Sequence, residues 1–250
     1  KEEYNYDVYK DKPTGALIPL EVVFRFGAPQ GSSFLKRNPN ITEGSFFDDI
    51  IIEFYTKLEP KDRLLTYEEA QSISNLNDGE FSELITRSKI LSLFLQNKFA
   101  QTPLKLWDGK FEFAFGEVDN QGNREIILVD TIGPDELRLT LNDIPFSKEF
   151  LRQAYQDTTW LNYFQETKSK DRHPLPLDPL YINLAQSIYS YIAQVITKND
   201  FTFPNELKEL INRSKIIVLG KGGREHALAK HLSQSPFIKE VYVIPGNPGI

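Results

Sequence analysis

An α+β fold, with an antiparallel sheet, flanking helices and then a short parallel βαβ unit, is what this 250-residue sequence predicts. Three observations carry that expectation. Trp107-Asp108-Gly109-Lys110-Phe111-Glu112-Phe113 alternates charged and aromatic side chains. Glu125-Ile126-Ile127-Leu128-Val129-Asp130 answers it across a loop holding Asp119, Asn120, Gly122 and Asn123, so the pair reads as a hairpin. Apolar residues recur at helical spacing over 78–96 and 180–196. From Lys215 onward an apolar strand, a glycine turn, a helical stretch and a second strand follow in βαβ order.

Composition narrows the function classes. A net charge of -6 and a pI near 5.3 argue against a general nucleic-acid surface, which carries a basic excess. No apolar run approaches the length of a membrane span, and Lys1-Glu2-Glu3-Tyr4 does not open a signal peptide. With no cysteine, disulfides, thiolate metal sites and a cysteine nucleophile are excluded. A soluble cytoplasmic protein is the expectation.

Taken in order, the polar, Tyr-rich start leads through Pro13-Thr14-Gly15 into a strand over 17–26. Glu21 and Arg25 interrupt its apolar run. An unpaired charge in a buried strand is costly, so Arg25 should pair with a carboxylate or face an anionic ligand. Gly27 to Arg37 is a Gly, Pro and Ser loop ending in two cations, which offers backbone N–H groups, hydroxyls and positive charge to a phosphomonoester. Residues 46–55 are a mixed apolar stretch with Asp48, Asp49 and Glu53, followed by a charged loop through Lys57, Lys61 and Arg63.

Thr66 and Glu69 have capping-box spacing at a helix start. The longer helix over 78–96 sets Phe81, Leu84, Ile85, Ile90, Leu91 and Phe94 at helical period. Pro134-Asp135-Glu136-Leu137-Arg138 turns the chain back after the hairpin. Residues 148–163 and 180–196 read as helices, joined by a charged connector and Pro174-Leu175-Pro176.

The hairpin holds the chemistry. Residues two apart on a strand share a face, so Asp108, Lys110 and Glu112 project to one side while Trp107, Phe111, Phe113 and Phe115 enter the core. With the loop centred near Gln121, Glu112 stands opposite Asp130. Facing carboxylates repel unless a cation lies between them, so this pair either costs stability or holds a hard divalent ion, most naturally magnesium carrying a nucleotide phosphate. A half-solvated sheet edge is the plainer alternative.

Four ordered motifs resemble the C-terminal lobe of the SAICAR synthetase (phosphoribosylaminoimidazole-succinocarboxamide synthetase) family. They are Ile18-Pro19-Leu20-Glu21-Val22-Val23-Phe24-Arg25 with Gly31-Ser32-Ser33-Phe34-Leu35-Lys36-Arg37, then Asp108-x-Lys110-x-Glu112-Phe113 with the return to Asp130, then Gly133 to Arg138, then Ser147-Lys148-Glu149-Phe150-Leu151-Arg152. The resemblance implies an ATP-dependent ligase of purine biosynthesis that joins L-aspartate to carboxyaminoimidazole ribonucleotide, with ATP and Mg2+ as cofactors. It implies that Arg25, Arg138 and a serine bind the substrate phosphate. Counting from Arg25 favours Ser32 and counting back from Lys36 favours Ser33, so both stand. Asp108 and Lys110 would be catalytic, the first orienting substrate or metal and the second neutralising charge, and Glu112 and Asp130 would be the metal ligands. Family members also have an N-terminal lobe with a glycine-rich loop and a lysine over the nucleotide, and nothing before Lys1 supplies it. These residues alone are expected to be inactive or nearly so.

Lys215-Ile216-Ile217-Val218-Leu219-Gly220, Gly222-Gly223-Arg224-Glu225-His226-Ala227-Leu228 and Pro245-Gly246-Asn247-Pro248-Gly249 resemble the start of the N-terminal domain of GAR synthetase (phosphoribosylamine-glycine ligase). His226 is as suited to supporting the turn as to touching a ligand. The expected organisation is a synthetase-like lobe over 1–203, a linker over 204–214 and a truncated GAR synthetase domain over 215–250, within a longer, bifunctional chain. Expected partners are small-molecule substrates, without nucleic acid or membrane, and homo-oligomerisation is open. Two other readings compete: a GAR synthetase piece with a divergent leader, and a noncatalytic ligand-binding domain.

Overall fold

The computed structural model describes residues 4–156, 158, 160–162, 173–197 and 205–246. The chain divides into two compact units. One takes residues 1–140 and 145–149, and the other takes 141–144 and 150–250.

The first unit is built on an antiparallel sheet. Strand β1 (Ala16–Gly27) pairs with β2 (Phe46–Thr56) on one side and with β4 (Lys105–Val118) on the other. A short β3 (Leu64–Leu65) extends β2. The free edge of the long β4 is shared between β6 (Leu137–Leu141), which pairs with its first half, and β5 (Arg124–Val129), which pairs with its second. A two-residue β7 (Ile144–Pro145) follows β6 in the strand order β3-β2-β1-β4-β6-β7.

Alternation sorts the two faces. Val22, Phe24, Phe54, Phe111, Phe113 and Phe115 are buried on one side. Helix α2 (Tyr67–Ser74) begins with the reciprocal Thr66–Glu69 capping box, and α3 (Asp78–Phe99) with an Asn77–Glu80 box. Phe81 of α3 packs its ring 5.3 Å from that of Phe54, which seats the helix on the apolar face. Within α3 the buried stripe is Phe81, Leu84, Ser88, Ser92, Leu95 and Phe99, whereas Ile90 and Phe94 point outward at 60% and 56% exposure. Periodicity thus fixed the helix but not its rotation. Ser88 and Ser92 enter the core because their hydroxyls donate to Leu84 O and Ser88 O one turn back.

Gly109 lies where backbone and core meet. A Cβ there would fall 2.6 Å from Phe24 Cζ and 2.7 Å from Leu137 Cδ2, so only glycine admits both neighbours. The hairpin is also tied to the start of α3. Glu80 and Arg124 form a buried pair at 2.8 Å, and the Arg124 guanidinium lies 3.6 Å over the Phe115 ring.

In the second unit, α5 (Pro179–Thr197) buries Leu184, Ala185, Ile188, Tyr191 and Ile192 and packs against α6 (Asn205–Ile211). Ahead of it, α4 (Lys148–Gln153) is shorter than the expected 148–163 helix. Turns follow it, and Thr158 Oγ1 caps a new start by accepting from Leu161 N, since threonine competes with helical bonding. Tyr163, the charged connector, residue 204 at the head of the expected 204–214 linker and the Asn247–Gly249 motif lie outside the described residues, and α6 occupies most of the rest of that linker. Strand β8 (Ser214–Gly220), helix α7 (Gly223–Ser233) and strand β9 (Ile238–Pro245) make the expected parallel βαβ unit.

Candidate functional site

The opposite face of the sheet is polar. Register places Glu21 opposite both Tyr55 and Glu112, Val23 opposite both Glu53 and Lys110, and Arg25 opposite Asp108, which in turn opposes Arg138. Three strands, β1, β4 and β6, therefore bring Arg25, Asp108, Lys110, Glu112 and Arg138 onto one surface, and β2 adds Glu53 and Tyr55.

At one end, Arg25 is only 5% exposed and satisfied by two carboxylates. Its Nε donates to Glu53 Oε2 at 2.7 Å and its Nη1 to Asp108 Oδ2 at 2.8 Å. Arg138 Nη1 approaches that same Oδ2 at 3.5 Å. Burial holds the Asp108 carboxyl above the usual carboxylate range, and Arg138 and Arg25 offset only part of that rise. The arginine feels the reverse balance: burial would lower it, but Asp108 and Glu53 more than compensate. Arg138 sits on β6 rather than in the turn expected for it; the turn closes earlier, with Glu136 N and Leu137 N both donating to Gly133 O.

The loop after β1 delivers a further cation. Ser32, 2% exposed, caps the short helix α1 (Ser33–Arg37) by accepting from Phe34 N, while Ser33 is exposed. Arg37 at the end of α1 reaches Glu53 Oε1 and the Tyr55 hydroxyl, both at 2.8 Å. Glu53 thus joins Arg25 to Arg37.

At the other end, Lys110 and Lys57 alternate with Glu21 and Glu112 in a closed ring. Lys110 Nζ lies 2.9 Å from Glu21 Oε1 and 3.3 Å from Glu112 Oε1, and Lys57 Nζ lies 2.6 Å from Glu112 Oε1 and 3.1 Å from Glu21 Oε1. Burial alone would raise Glu21, but Lys110 and Lys57 hold it below the usual carboxylate range. Both lysines move the other way: burial would lower them, and the glutamates outweigh it. Glu21, Lys57 and Lys110 therefore each favour the charged form.

The expected opposition of Glu112 and Asp130 does not form. Near the loop, Val118 pairs with Arg124 as a centre at Gln121 requires, but an irregularity between Phe115 and Val118 shifts the ladder by one residue. Glu112 therefore faces Val129. Asp130 lies just past the end of β5, at a φ of 69°, exposed, with Oδ1 accepting from Thr131 N. Among the described residues no group of three or more His, Cys, Asp or Glu is placed to hold a metal ion. Glu112 and Asp130 are hard oxygen donors, suited to an ion that arrives on nucleotide phosphates rather than to a closed protein cage.

Sequence alone does not mark Glu53, Tyr55, Glu21 and Lys57 as site residues, and it offers Arg37 only as one of the two cations that end the loop after β1. The sequence signals were slight: two charges inside apolar strands for Glu21 and Glu53, and nothing distinctive for Lys57.

Comparison with known proteins bears on this face. A family profile described as SAICAR synthetase matches residues 14–168, and one described as Phosphoribosylglycinamide synthetase, N domain, matches residues 214–250. A provisionally named phosphoribosylaminoimidazole-succinocarboxamide synthase of Archaeoglobus fulgidus is 29% identical over 233 residues, covering 86% of this chain and 69% of that protein. A phosphoribosylaminoimidazole-succinocarboxamide synthase of Streptococcus agalactiae is 36% identical over 124 residues, covering 49% of this chain and 49% of its own length. The chain thus aligns with about half the length of that relative. The crystal structure of the synthase from Ehrlichia chaffeensis superposes with a TM-score of 0.55 at 25% identity, covering 74% of this chain and 66% of that one.

Proposed function

Because this chain belongs to the SAICAR synthetase family, we propose that the native polypeptide containing it uses ATP to join L-aspartate to the carboxylate of carboxyaminoimidazole ribonucleotide. The observation that carries this reading is the two-ended polar face, with two arginines sharing one buried carboxylate at one end and a ring of two lysines and two glutamates at the other.

A carboxylate is a poor electrophile. In the proposed sequence its oxygen first takes the terminal phosphoryl group of ATP and ADP leaves. The aspartate amine then attacks the acyl carbon, phosphate departs with the carbon–oxygen bond electrons, and the amine gives up a proton. Arg138 and Arg25 are proposed to hold the ribonucleotide phosphate, two guanidiniums matching a dianion. Ser33 offers an exposed hydroxyl to it, and Ser32 sets the loop by capping it. Asp108 aligns both arginines and so orients the substrate. Lys110 neutralises charge at the transferred group. Since Glu112 and Asp130 do not stand opposite each other, magnesium would take a single carboxylate, from Glu112 or from Asp130, beside phosphates and water, which is within its usual protein share, and the ion would supply charge neutralisation at the phosphate oxygens.

The match at 214–250 supports a second, GAR synthetase-type activity in the same native polypeptide, as a multifunctional cytoplasmic enzyme. No helix among the described residues is long and apolar enough to cross a membrane. The acidic composition argues against a nucleic-acid partner, while the local cations of the polar face suit small anionic substrates.

The test is aspartate-dependent ADP release by the full native polypeptide supplied with ATP, magnesium and the ribonucleotide. Release that needs both aspartate and ribonucleotide is expected, and release indifferent to aspartate would refute the reaction. Glu112→Ala should lower kcat by orders of magnitude; a change in stability alone would favour a noncatalytic binding domain.

A further inference from the structure

Lys57 stands one residue beyond the end of β2 and belongs to none of the motifs above. Its Nζ nevertheless contacts the same two atoms as Lys110, namely Glu21 Oε1 and Glu112 Oε1. An ammonium has three N–H donors, so each lysine spends two on the ring and keeps one. The glutamate side chains are 12% and 10% exposed against 26% and 25% for Lys57 and Lys110, so the lysines are the more accessible members of the ring.

Two ammonium groups repel at this range unless anions lie between them, and the shared glutamate oxygens supply those anions. The pair is thereby held ready before any ligand arrives. A dianionic phosphoryl group at the rim would meet two cations already in place, with little side-chain entropy left to lose.

Building on the function proposed above, we infer that Lys57 is a second phosphoryl-binding ammonium, coupled to Lys110 through Glu21 and Glu112, and that it takes the terminal phosphoryl group of the nucleotide. AMP lacks that group, and the ribonucleotide phosphate belongs with the arginines at the other end of the face.

The experiment measures affinity for ATP, AMP and the ribonucleotide by calorimetry on the full native polypeptide, as wild type, Lys57→Gln and Lys57→Arg, with thermal unfolding midpoints alongside. Lys57→Gln should weaken ATP by about tenfold or more, the scale of one lost charge-assisted hydrogen bond. AMP and ribonucleotide affinities should stay within about twofold, and Lys57→Arg should restore most of the ATP affinity. Unchanged ATP binding in Lys57→Gln would overturn the inference. So would equal losses for ATP and AMP with a lowered midpoint, which would make the ring a structural prop, or a loss confined to the ribonucleotide. A wild type that shows this dependence on Lys57 but makes no aspartyl product would refute the proposed reaction and leave the lysine pair standing; a wild type that does not bind ATP would overturn both.

Discussion

Asp108 takes two guanidiniums on one oxygen atom, and Arg25 is held between Asp108 and Glu53 with almost no access to water. Removing one partner from such a group strands the others in a poor solvent. Arg25→Met should destabilise the fold by about 3 kcal/mol, read as a lowered urea midpoint with unchanged slope. A midpoint within error of wild type would mean that Arg37 and Arg138 can hold the two carboxylates unaided.

Glu80 makes a second prediction at this scale. Burial alone would raise its pKa, but bonds from the Arg124 guanidinium and backbone and from Asn77 N bring it to about 2. A carboxyl depressed by folding stabilises the native state above its unfolded pKa and loses that contribution as pH falls through the folded value. The side chain is 1% exposed, so roughly 3 kcal/mol should be present at neutral pH and drain away between about pH 4.5 and pH 2. Thermal melts across that window, compared with Glu80→Gln, should show the variant already destabilised at pH 7 and flatter in acid. Parallel acid slopes would rule out Glu80 as the source.

Among the elements, Gly109 is the position with least room. Gly109→Ala should cost about 1–3 kcal/mol by overpacking against Phe24 and Leu137, seen as a lowered denaturant midpoint. An unchanged midpoint would show that the Phe24 ring can give way.

The same hairpin shows what sequence could and could not reveal. Alternation placed Asp108, Lys110 and Glu112 on one face because side-chain direction follows from strand geometry alone. Register was less accessible, since it depends on every residue between loop and pair. Gly116 lies inside the shift between Phe115 and Val118, and an isolated strand glycine is a bulge signal, so one residue did mark the slip. That β1 lies between β2 and β4 is a long-range fact with no local trace. Without it Arg25 could not be matched to Glu53 and Asp108, nor Lys57 to Glu112. The rotation of α3 was hidden for a similar reason, since Ser88 and Ser92 become core residues only through bonds to their own helix.

At the scale of the whole molecule, the two compact units divide near residue 150, well before the change of character at Lys215 that marked a second domain in the sequence. The substrate assignments fall within residues 14–140 of the first unit, inside the stretch matched by the SAICAR synthetase family. One sheet face would serve both ends of the reaction: arginines for the ribonucleotide phosphate, lysines and glutamates for phosphoryl transfer.

That division of labour is tested most directly by the affinity of the full native polypeptide for carboxyaminoimidazole ribonucleotide and for the nucleoside lacking its phosphate, in wild type and in Arg138→Ala. Wild type is expected to prefer the ribonucleotide by about a hundredfold, in line with two charge-assisted contacts, and Arg138→Ala to lose about tenfold of that preference while keeping its nucleoside affinity. Equal affinities for nucleotide and nucleoside in the wild type, or a preference untouched by Arg138→Ala, would contradict it.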